Sequence, residues 1–325
     1  MKGEPPKIYT RRKWLTLTNG PYYSWDQDNW PNWFSAPKTF WNEARRNFLI
    51  SEKSPEHIYH YTSVEGFFEI VKSKTLWLSD YSYLNDKREL THGIELIQDV
   101  AAELQKDEIR QPAIDLLDTW IRDIGQIHRV CIASFSADGD SLSQWRSYGS
   151  VALGFEPRDV SLHAHGTNLQ RVEYDRDKQR ALARTYLHHL REAYMVDSEG
   201  NRLERIPDVY HRTDRLIELI AFFKDPAFSV ENEYRLAYIE YPQTFDSLGI
   251  EAPAKRFRVS RSRILPYVVS SEIEPFPGNE RPLEIREVVL GPETDNLLER
   301  GIREFLQSEN LSEVVVRRST VPYRT

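Results

Sequence analysis

The stretch that decides the fold class is 285-IREVVLGPETDNLLERGIREFLQSENLSEVVV-316. It begins with a predicted strand, Ile285 to Leu290, which the dipeptide Gly291-Pro292 ends. Apolar residues then recur at the spacing of one helical face: Leu298, Ile302 and Phe305. A second predicted strand covers Val314 to Val316. This order predicts a C-terminal β-α-β unit over about residues 283–325.

Upstream of this unit, short predicted strands are separated by helical stretches. The strands are predicted at 58–61, 75–79, 129–135, 151–155, 233–241 and 256–260, and the main helices at 87–106, 109–126, 175–196 and 207–223. The pattern predicts an α+β fold with a mixed β core and helical insertions. We expect one domain, 57–325, preceded by an aromatic-rich N-terminal arm, 1–56.

Composition limits the function classes. With 325 residues and 40% hydrophobic content the chain can bury a full core, and no apolar run approaches the roughly 20 residues that span a bilayer. A single cysteine, Cys131, excludes an internal disulfide framework, so we expect a cytoplasmic protein without membrane contact. The net charge of −7 disfavours polyanion binding by the whole molecule.

One local basic stretch, Lys255 to Arg263, is an exception to the acidic average. Its basic residues alternate with Phe257 and Val259, which predicts a strand with one solvated, charged face. We therefore expect this strand to contribute little to nucleotide binding.

Several short motifs are interpreted as structural. Gly139-Asp140-Ser141-Leu142 resembles the opening of a serine esterase motif, but the other blocks of that class are misplaced, and Ser141 is predicted to cap a helix. The histidine pairs His163-x-His165 and His188-His189 have no partners at ligand spacing, so we predict no metal site. Phosphate-cradling glycine motifs are absent from the sequence.

A set of polar residues lies at predicted strand ends: His60, Thr62, Ser134, Ser136, Tyr148, Glu231 and Glu233. Together they suit cleavage of the bond between nicotinamide and ribose, because a carboxylate stabilises the positive charge that develops at the anomeric carbon. A histidine can hold ribose hydroxyls, and an aromatic ring can stack on nicotinamide. We expect His60, Glu231 and Glu233 to line one pocket.

Four motifs in this order resemble an uncharacterised bacterial family, a domain of unknown function. They are Tyr59-His60-Tyr61-Thr62, Leu84-Asn85-Asp86 with Glu89, Ser134-Phe135-Ser136 leading to Trp145 and Tyr148, and Glu231-x-Glu233-Tyr234-Arg235. Val288 to Pro292 and Ser319 to Arg324 also fit this family, so the resemblance extends from about Ile58 to the C-terminus.

A more distant resemblance is to ADP-ribosyltransferases, because His60 lies on an early strand and Glu233 both ends a Glu-x-Glu pair and begins a late strand. The resemblance implies an ADP-ribosyltransferase-like core and NAD+ as substrate, with no metal. It implies that Glu233 is catalytic, that Glu231 serves the acceptor, that His60 binds ribose and that Tyr148 stacks on nicotinamide. The remaining predicted NAD+-binding residues are Tyr61, Thr62, Asn85, Ser134, Ser136, Trp145 and Arg235.

The acceptor stays open: protein, nucleic acid, small molecule or water, the last of which would make a NAD+ glycohydrolase. A bacterial toxin or anti-phage effector role would suit this chemistry. One alternative is a nonenzymatic binding module in which Asn85, Glu89, Trp145 and Arg235 form a buried polar network and the basic strand holds nucleic acid. Another is a metal-dependent nuclease that uses Asp86, Glu89, Glu231 and Glu233.

Overall fold

The computed structural model describes residues 55–83, 89–105, 129–164, 167–193, 216–240, 252–260, 263–273 and 281–322. Apart from residues 55 and 56, the predicted arm 1–56 lies outside these ranges, as do Asn85, Asp86 and the predicted helix 109–126. The division into an arm and one domain therefore stays a prediction.

The described strands form one sheet of mostly antiparallel pairs. They are β1 (Ile58–Thr62), β2 (Trp77–Asp80), β3 (Arg129–Ser136), β4 (Val151–Phe155), β5 (Asn168–Arg171), β6 (Glu233–Glu240), β7 (Arg256–Ser260), β8 (Arg263–Val269), β9 (Glu287–Leu290) and β10 (Val315–Arg318). The order is β10-β9-β4-β1-β3-β2-β8-β7, with β6 also on β3 and β5 on β6.

Seven α-helices are described with these strands. They are α1 (Val64–Ser73), α2 (Glu89–Gln105), α3 (Leu142–Tyr148), α4 (Pro157–His163), α5 (Arg176–Ala193), α6 (Leu216–Ile220) and α7 (Asn296–Ser308). The predicted mixture of helices and strands is confirmed. Among the described residues, no helix is both long enough and apolar enough to cross a membrane.

The predicted C-terminal β-α-β unit is present as β9, α7 and β10. Strands β9 and β10 pair in parallel, from Val315 opposite Glu287 to Arg318 opposite Leu290. Helix α7 buries Ile302 and Leu306, and its N-cap residue Asp295 accepts a hydrogen bond from the Leu298 amide at 2.7 Å. Parallel neighbours need a crossover element between them, and this helix supplies it.

Helices cover both faces of the sheet, so the described residues form hydrophobic cores on both sides of it. One core packs α2, α5 and α6 against Val130, Ile132 and Ala237. The other packs α1, α4 and α7 against Ala133, Phe135 and Leu236. Since alternate residues of a strand point to opposite faces, the two sets divide β3 and β6 by parity. We call the face of the sheet that α2, α5 and α6 cover the α5 face, and the face that α1, α4 and α7 cover the α1 face.

Strand β3 positions the predicted site because its two edges are paired differently. One edge pairs with β6 along its whole length, from Arg129 opposite Glu240 to Ser136 opposite Glu233. The other edge pairs with β2 near its start, at Cys131 and Ile132, and with β1 at its end, at Ser136. Strands β1 and β2 therefore diverge, and a fork opens beside Ser134.

Local sequence patterns missed two strands and misplaced one helix cap. Strand β5 is polar, and β8 contains Pro266, so neither shows a strand pattern. Thr62 and Glu65 have the spacing of a capping box for α1, but the N-cap of this helix is Ser63, whose side chain accepts from the Gly66 amide at 3.2 Å. Ser141 is the N-cap of α3, although its side chain makes no capping bond.

Candidate functional site

Glu233 begins β6 and is almost completely buried, with 4% of its surface exposed. Its carboxylate binds the Arg235 guanidinium through two hydrogen bonds, Nε to Oε1 at 2.8 Å and Nη2 to Oε2 at 3.1 Å. The same Oε2 accepts from Nζ of Lys224 at 3.0 Å. A carboxylate with two cationic donors is a strong, charge-assisted arrangement.

Lys224 joins Glu233 to Glu231, because its Nζ also donates to Oε2 of Glu231 at 2.7 Å. We call Lys224, Glu231, Glu233 and Arg235 the four-charge cluster. Its two positive and two negative groups sum to zero, which offsets the cost of removing charges from water. Glu231 is the outermost carboxylate, with 18% of its side chain exposed against 5% for Glu233.

A short turn between α6 and β6 explains why these residues meet. Asp225 caps a 3₁₀ turn, Pro226–Glu231, by accepting from the Ala227 amide at 2.9 Å. Asn232 ends the turn with a left-handed backbone (φ 43°), a conformation that asparagine tolerates better than most residues. The chain thereby reverses direction, and the first residues of β6 run back alongside Lys224.

Backbone and side-chain groups complete the hydrogen bonding around the cluster. Arg235 Nη1 donates to the Ala221 carbonyl at 2.8 Å, and the Glu233 amide donates to the Tyr174 hydroxyl at 3.1 Å. Gln179, which is fully buried, donates through Nε2 to the Lys224 carbonyl at 2.8 Å. The cluster is therefore held by β6, by α5 and by the turn before β6.

The charges of the cluster determine its protonation. Burial alone would raise the pKa of Glu233, but Arg235 and Lys224 outweigh it and lower the pKa to about 2. The Ser134 side chain adds a hydrogen bond that acts in the same direction. The two cationic partners of Glu233 therefore favour its ionised form.

His60 lies on the other side of the sheet from Glu233. Tyr59, not His60, pairs with Ser136, whereas the His60 ring contacts Phe135 on the α1 face with ring centroids 5.7 Å apart. The expectation that His60, Glu231 and Glu233 line one pocket is therefore wrong. The physical reason is parity: a strand places neighbouring residues on opposite faces, and the register of β1 decides which of them faces Glu233.

Ser134 nevertheless connects the two predicted residues. His60 Nδ1 lies 2.9 Å from the Ser134 carbonyl oxygen and donates to it, while the Ser134 side chain bonds to Glu233. Burial lowers the pKa of His60 and favours the neutral ring, in which Nδ1 carries the proton that it donates to Ser134. His60 fills the fork between β1 and β2, so it has a structural task whatever else it does.

Tyr61 and Trp145 lie on the α5 face with the cluster, but their contacts hold the C-terminal segment in place. Their rings contact edge to face at 4.6 Å, and the Tyr61 hydroxyl donates to the Asp138 carbonyl at 2.7 Å. Trp145 Nε1 donates to Asp140 at 3.0 Å, and Asp140 also accepts from the Thr320 amide at 2.7 Å. These residues fasten the segment after β10 to the start of α3.

The other predicted site residues are dispersed. Ser136 adjoins the cluster, since its hydroxyl donates to the Glu231 carbonyl at 2.8 Å. Tyr148 ends α3 and is exposed, whereas Thr62 shares the α1 face with His60. Asn85 lies outside the described residues, and Glu89 begins α2 without a described side chain.

The basic strand β7 corrects another expectation. Arg258, predicted to lie on a solvated face, is half-buried, while its apolar neighbours Phe257 and Val259 are 63% and 80% exposed. Strand pairing explains the inversion, because Arg258 lies opposite Leu265 on the face that carries Trp77 and Ser79. Alternation identifies two faces but does not reveal which one the rest of the protein covers.

Sequence reasoning also missed three residues that matter here: Lys224, Tyr174 and Gln179. Lys224 followed a predicted helix, and nothing in its local sequence separates it from a solvated lysine. A lysine directly after the buried run 219–223 and close to a Glu-x-Glu pair is the one signal that could have indicated it.

Comparison with known proteins identifies one family. Residues 144–236, which contain β4, β5, α5 and all four residues of the four-charge cluster, match the model of a family described as protein of unknown function (DUF2971). The expected resemblance to an uncharacterised family is thus confirmed over residues 144–236, and its predicted extension from about Ile58 to the C-terminus stays a prediction. No curated protein and no solved structure matches the chain.

Proposed function

We propose that this chain, which carries a DUF2971 match, transfers ADP-ribose from NAD+, with the four-charge cluster at the reacting end of its site. The observation that carries the proposal is a pair of carboxylates, Glu231 and Glu233, bridged by the buried Lys224 ammonium group, with 18% of the Glu231 side chain exposed to solvent. An anion fixed in place before the reaction stabilises the cationic transition state with little reorganisation.

The reaction breaks the bond between the anomeric carbon of ribose and the nicotinamide nitrogen. Nicotinamide departs with the electron pair and becomes neutral, which leaves an oxocarbenium-like ribose. A nucleophilic oxygen or nitrogen of the acceptor then bonds to the same carbon and releases its proton. This sequence needs a fixed negative charge near the ribose and calls on no metal.

Exposure suggests a different division of roles from the one that the resemblance implies. Only a carboxylate that reaches solvent can touch a substrate, so we assign the contact with ribose to Glu231. Glu233 then acts through Lys224, whose ammonium group it shares with Glu231 at 3.0 Å and 2.7 Å. In this scheme Glu233 is a positioning residue that keeps Lys224, and therefore Glu231, in one place.

The ADP-ribosyltransferase-like core belongs to the proposal. Its support is the Glu-x-Glu pair at the start of β6, since His60 and Glu233 approach Ser134 from opposite faces of the sheet. The acceptor, a cytoplasmic location and a toxin or anti-phage role belong to the proposal without structural support of their own.

Nicotinamide release tests the proposal directly. Purified protein is incubated with NAD+, and free nicotinamide is measured by chromatography for the parent, for Glu231→Gln and for Glu304→Gln as an exposed control on α7. We expect the Glu231 variant to lose activity by a factor of about 10² to 10³ and the control to match the parent. Full turnover by Glu231→Gln with an unchanged melting temperature would contradict the assignment.

A nonenzymatic binding module is the second candidate, and one observation favours it. Arg235 and Trp145, two members of the polar network that it predicts, are both buried and hydrogen-bonded through their polar side-chain groups. This candidate expects salt-sensitive binding of a polyanion and no nicotinamide release. Measuring NAD+ turnover and polyanion binding on the same preparation separates the two functions.

The nuclease alternative has less support. Its metal would need the Glu231 and Glu233 carboxylates, yet the Lys224 ammonium group lies between them. Among the described residues, no three histidine, cysteine, aspartate or glutamate side chains group as metal ligands. Strict Mg²⁺ dependence of nucleic-acid cleavage would revive this alternative.

A further inference from the structure

Arg258 belongs to the edge strand β7, but its side chain reaches across β8 to β2. Its Nη2 donates to the Ser79 hydroxyl oxygen at 2.7 Å, and its guanidinium carbon lies 5.6 Å from the centre of the Trp77 ring. Tyr267 stacks on Trp77 at 4.7 Å and supports that ring from β8. Three strands thus fix the guanidinium in one position, against an aromatic face.

The charge of Arg258 is not balanced within the described ranges of the chain. Other arginines that are at least partly buried there have a carboxylate: Arg129 pairs with Glu240, Arg235 with Glu233 and Arg317 with Glu287. Across the same residues Arg258 forms no ion pair, and its buried Nε has no hydrogen-bond partner. Burial also lowers its pKa, as it must when a cation lacks a counter-charge.

An unpaired cation that is partly removed from water favours the binding of an anion. A guanidinium group offers donors in a rigid fork that matches two oxygens of an oxyanion. Ser79 is 5% exposed and accepts from Arg258 through its oxygen, so its hydroxyl hydrogen is left for an acceptor that lies directly beside the guanidinium. A tetrahedral oxyanion can place two oxygens on the guanidinium and a third on the Ser79 hydroxyl. A planar carboxylate has only the two oxygens that the guanidinium binds.

We propose that Arg258 and Ser79, backed by the Trp77 ring, form a binding site for a phosphate group, carried by free phosphate or by a nucleotide. The site lies on the same face of the sheet as the four-charge cluster, toward β2 and β8. It does not depend on the proposed reaction, because it requires a bound phosphate and no bond cleavage. It also reverses the expectation that the basic strand contributes little to nucleotide binding.

Two binding measurements test this site. Melting temperature is followed in sodium phosphate and in sodium chloride at equal ionic strength, and ADP-ribose binding is measured by titration calorimetry. The variants are Arg258→Gln, Arg258→Lys to keep the charge and the fold, and Arg256→Gln as the control. Arg256 is matched to Arg258 because it lies on the same face of β7 but is exposed and paired with Glu272.

We expect phosphate to raise the melting temperature of the parent and of Arg256→Gln but not of Arg258→Gln. Where ADP-ribose is the better ligand, its affinity should fall by about 10- to 100-fold in Arg258→Gln and less in Arg258→Lys. If phosphate and ADP-ribose stabilise the parent equally, the ligand is free phosphate. If ADP-ribose stabilises it more, the ligand is a nucleotide.

Two results would overturn the inference. One is a parent protein that neither phosphate nor ADP-ribose stabilises. The other is a folded Arg258→Gln variant that binds both ligands as the parent does. Neither result depends on nicotinamide release, so failure of this site and failure of the proposed transferase activity can be told apart.

Discussion

Strands β6 and β7 carry similar alternating sequences but occupy opposite environments. In β6, at the centre of the sheet, Glu233 and Arg235 are buried under the α5 face and neutralise each other. In β7, at the edge, Arg258 is half-buried without a carboxylate partner in the described residues, and Phe257 is exposed. Both strands alternate polar and apolar residues. The charged residues of β6 nevertheless form a neutral cluster, whereas Arg258 of β7 has no counter-charge among the described residues.

Neighbouring strands and helices, not alternation, decide the environment of a charged side chain. Strand β6 has β3 on one edge, β5 on the other and helices above it, so its polar residues had to find partners within the protein. Strand β7 has one neighbouring strand, β8, and it leaves its apolar face toward solvent. Substitutions in the two regions should consequently differ strongly in their effect on stability.

The largest effect is expected from removing the Glu233 charge. Glu233→Gln leaves the buried Arg235 without its counter-charge and Lys224 with Glu231 alone, so the free energy of unfolding should fall by about 3 to 5 kcal/mol. Urea denaturation followed by circular dichroism measures it, with Glu304→Gln as control. An unchanged midpoint would mean that the cluster opens to water in solution. A kinetic defect of this variant is therefore interpretable only together with its stability.

The next effect is a pH dependence that originates in the same carboxylate. The folded pKa of Glu233, about 2, lies below its ordinary value of 4.5, so its contribution to stability is complete above pH 4.5 and is lost as the pH falls toward 2. The loss should be on the order of 3 kcal/mol. Unfolding measured between pH 6 and 2 tests it, and Glu233→Gln should remove this component of the slope. A variant that keeps the parental slope would assign it to other carboxylates.

A smaller effect is expected at Gln179, which joins α5 to the backbone of Lys224. Gln179→Ala removes the donors to the Glu173 and Lys224 carbonyls, at 2.6 Å and 2.8 Å, and should cost about 2 kcal/mol. Thermal unfolding measures the loss, and Gln307→Ala on the exposed side of α7 provides the control. Equal melting temperatures for the two variants would show that the turn before β6 is positioned without α5.

The smallest effect is expected on the apolar side of β7. Phe257→Ser and Val259→Thr change side chains that are largely exposed, so each should alter the free energy of unfolding by no more than about 0.5 kcal/mol. Denaturant unfolding checks this, with Leu236→Ala in β6 as the buried contrast. A loss of several kcal/mol in either β7 variant would show that another segment of the chain covers this face in solution.

The elements that sequence analysis predicted best are those whose own residues determine them. The β9-α7-β10 unit was predicted because the spacing of Leu298, Ile302 and Phe305 requires a helix between two apolar strands. Strands β5 and β8 were missed, since a polar segment and a segment with a proline pair only where a neighbouring strand accepts them. Glu231 and Glu233 were singled out from their spacing, but Lys224 could not be.

By itself, the sequence determined the fold class, the β-α-β unit and the presence of paired carboxylates at the start of a strand, because periodicity and residue type act over a few neighbouring positions. The tertiary structure alone decided that His60 and Glu233 lie on opposite faces, that Lys224 links the two carboxylates and that Arg258 is turned inward. Those outcomes depend on strand register and on contacts between residues far apart in the chain, and a shift of one residue in register would exchange every face.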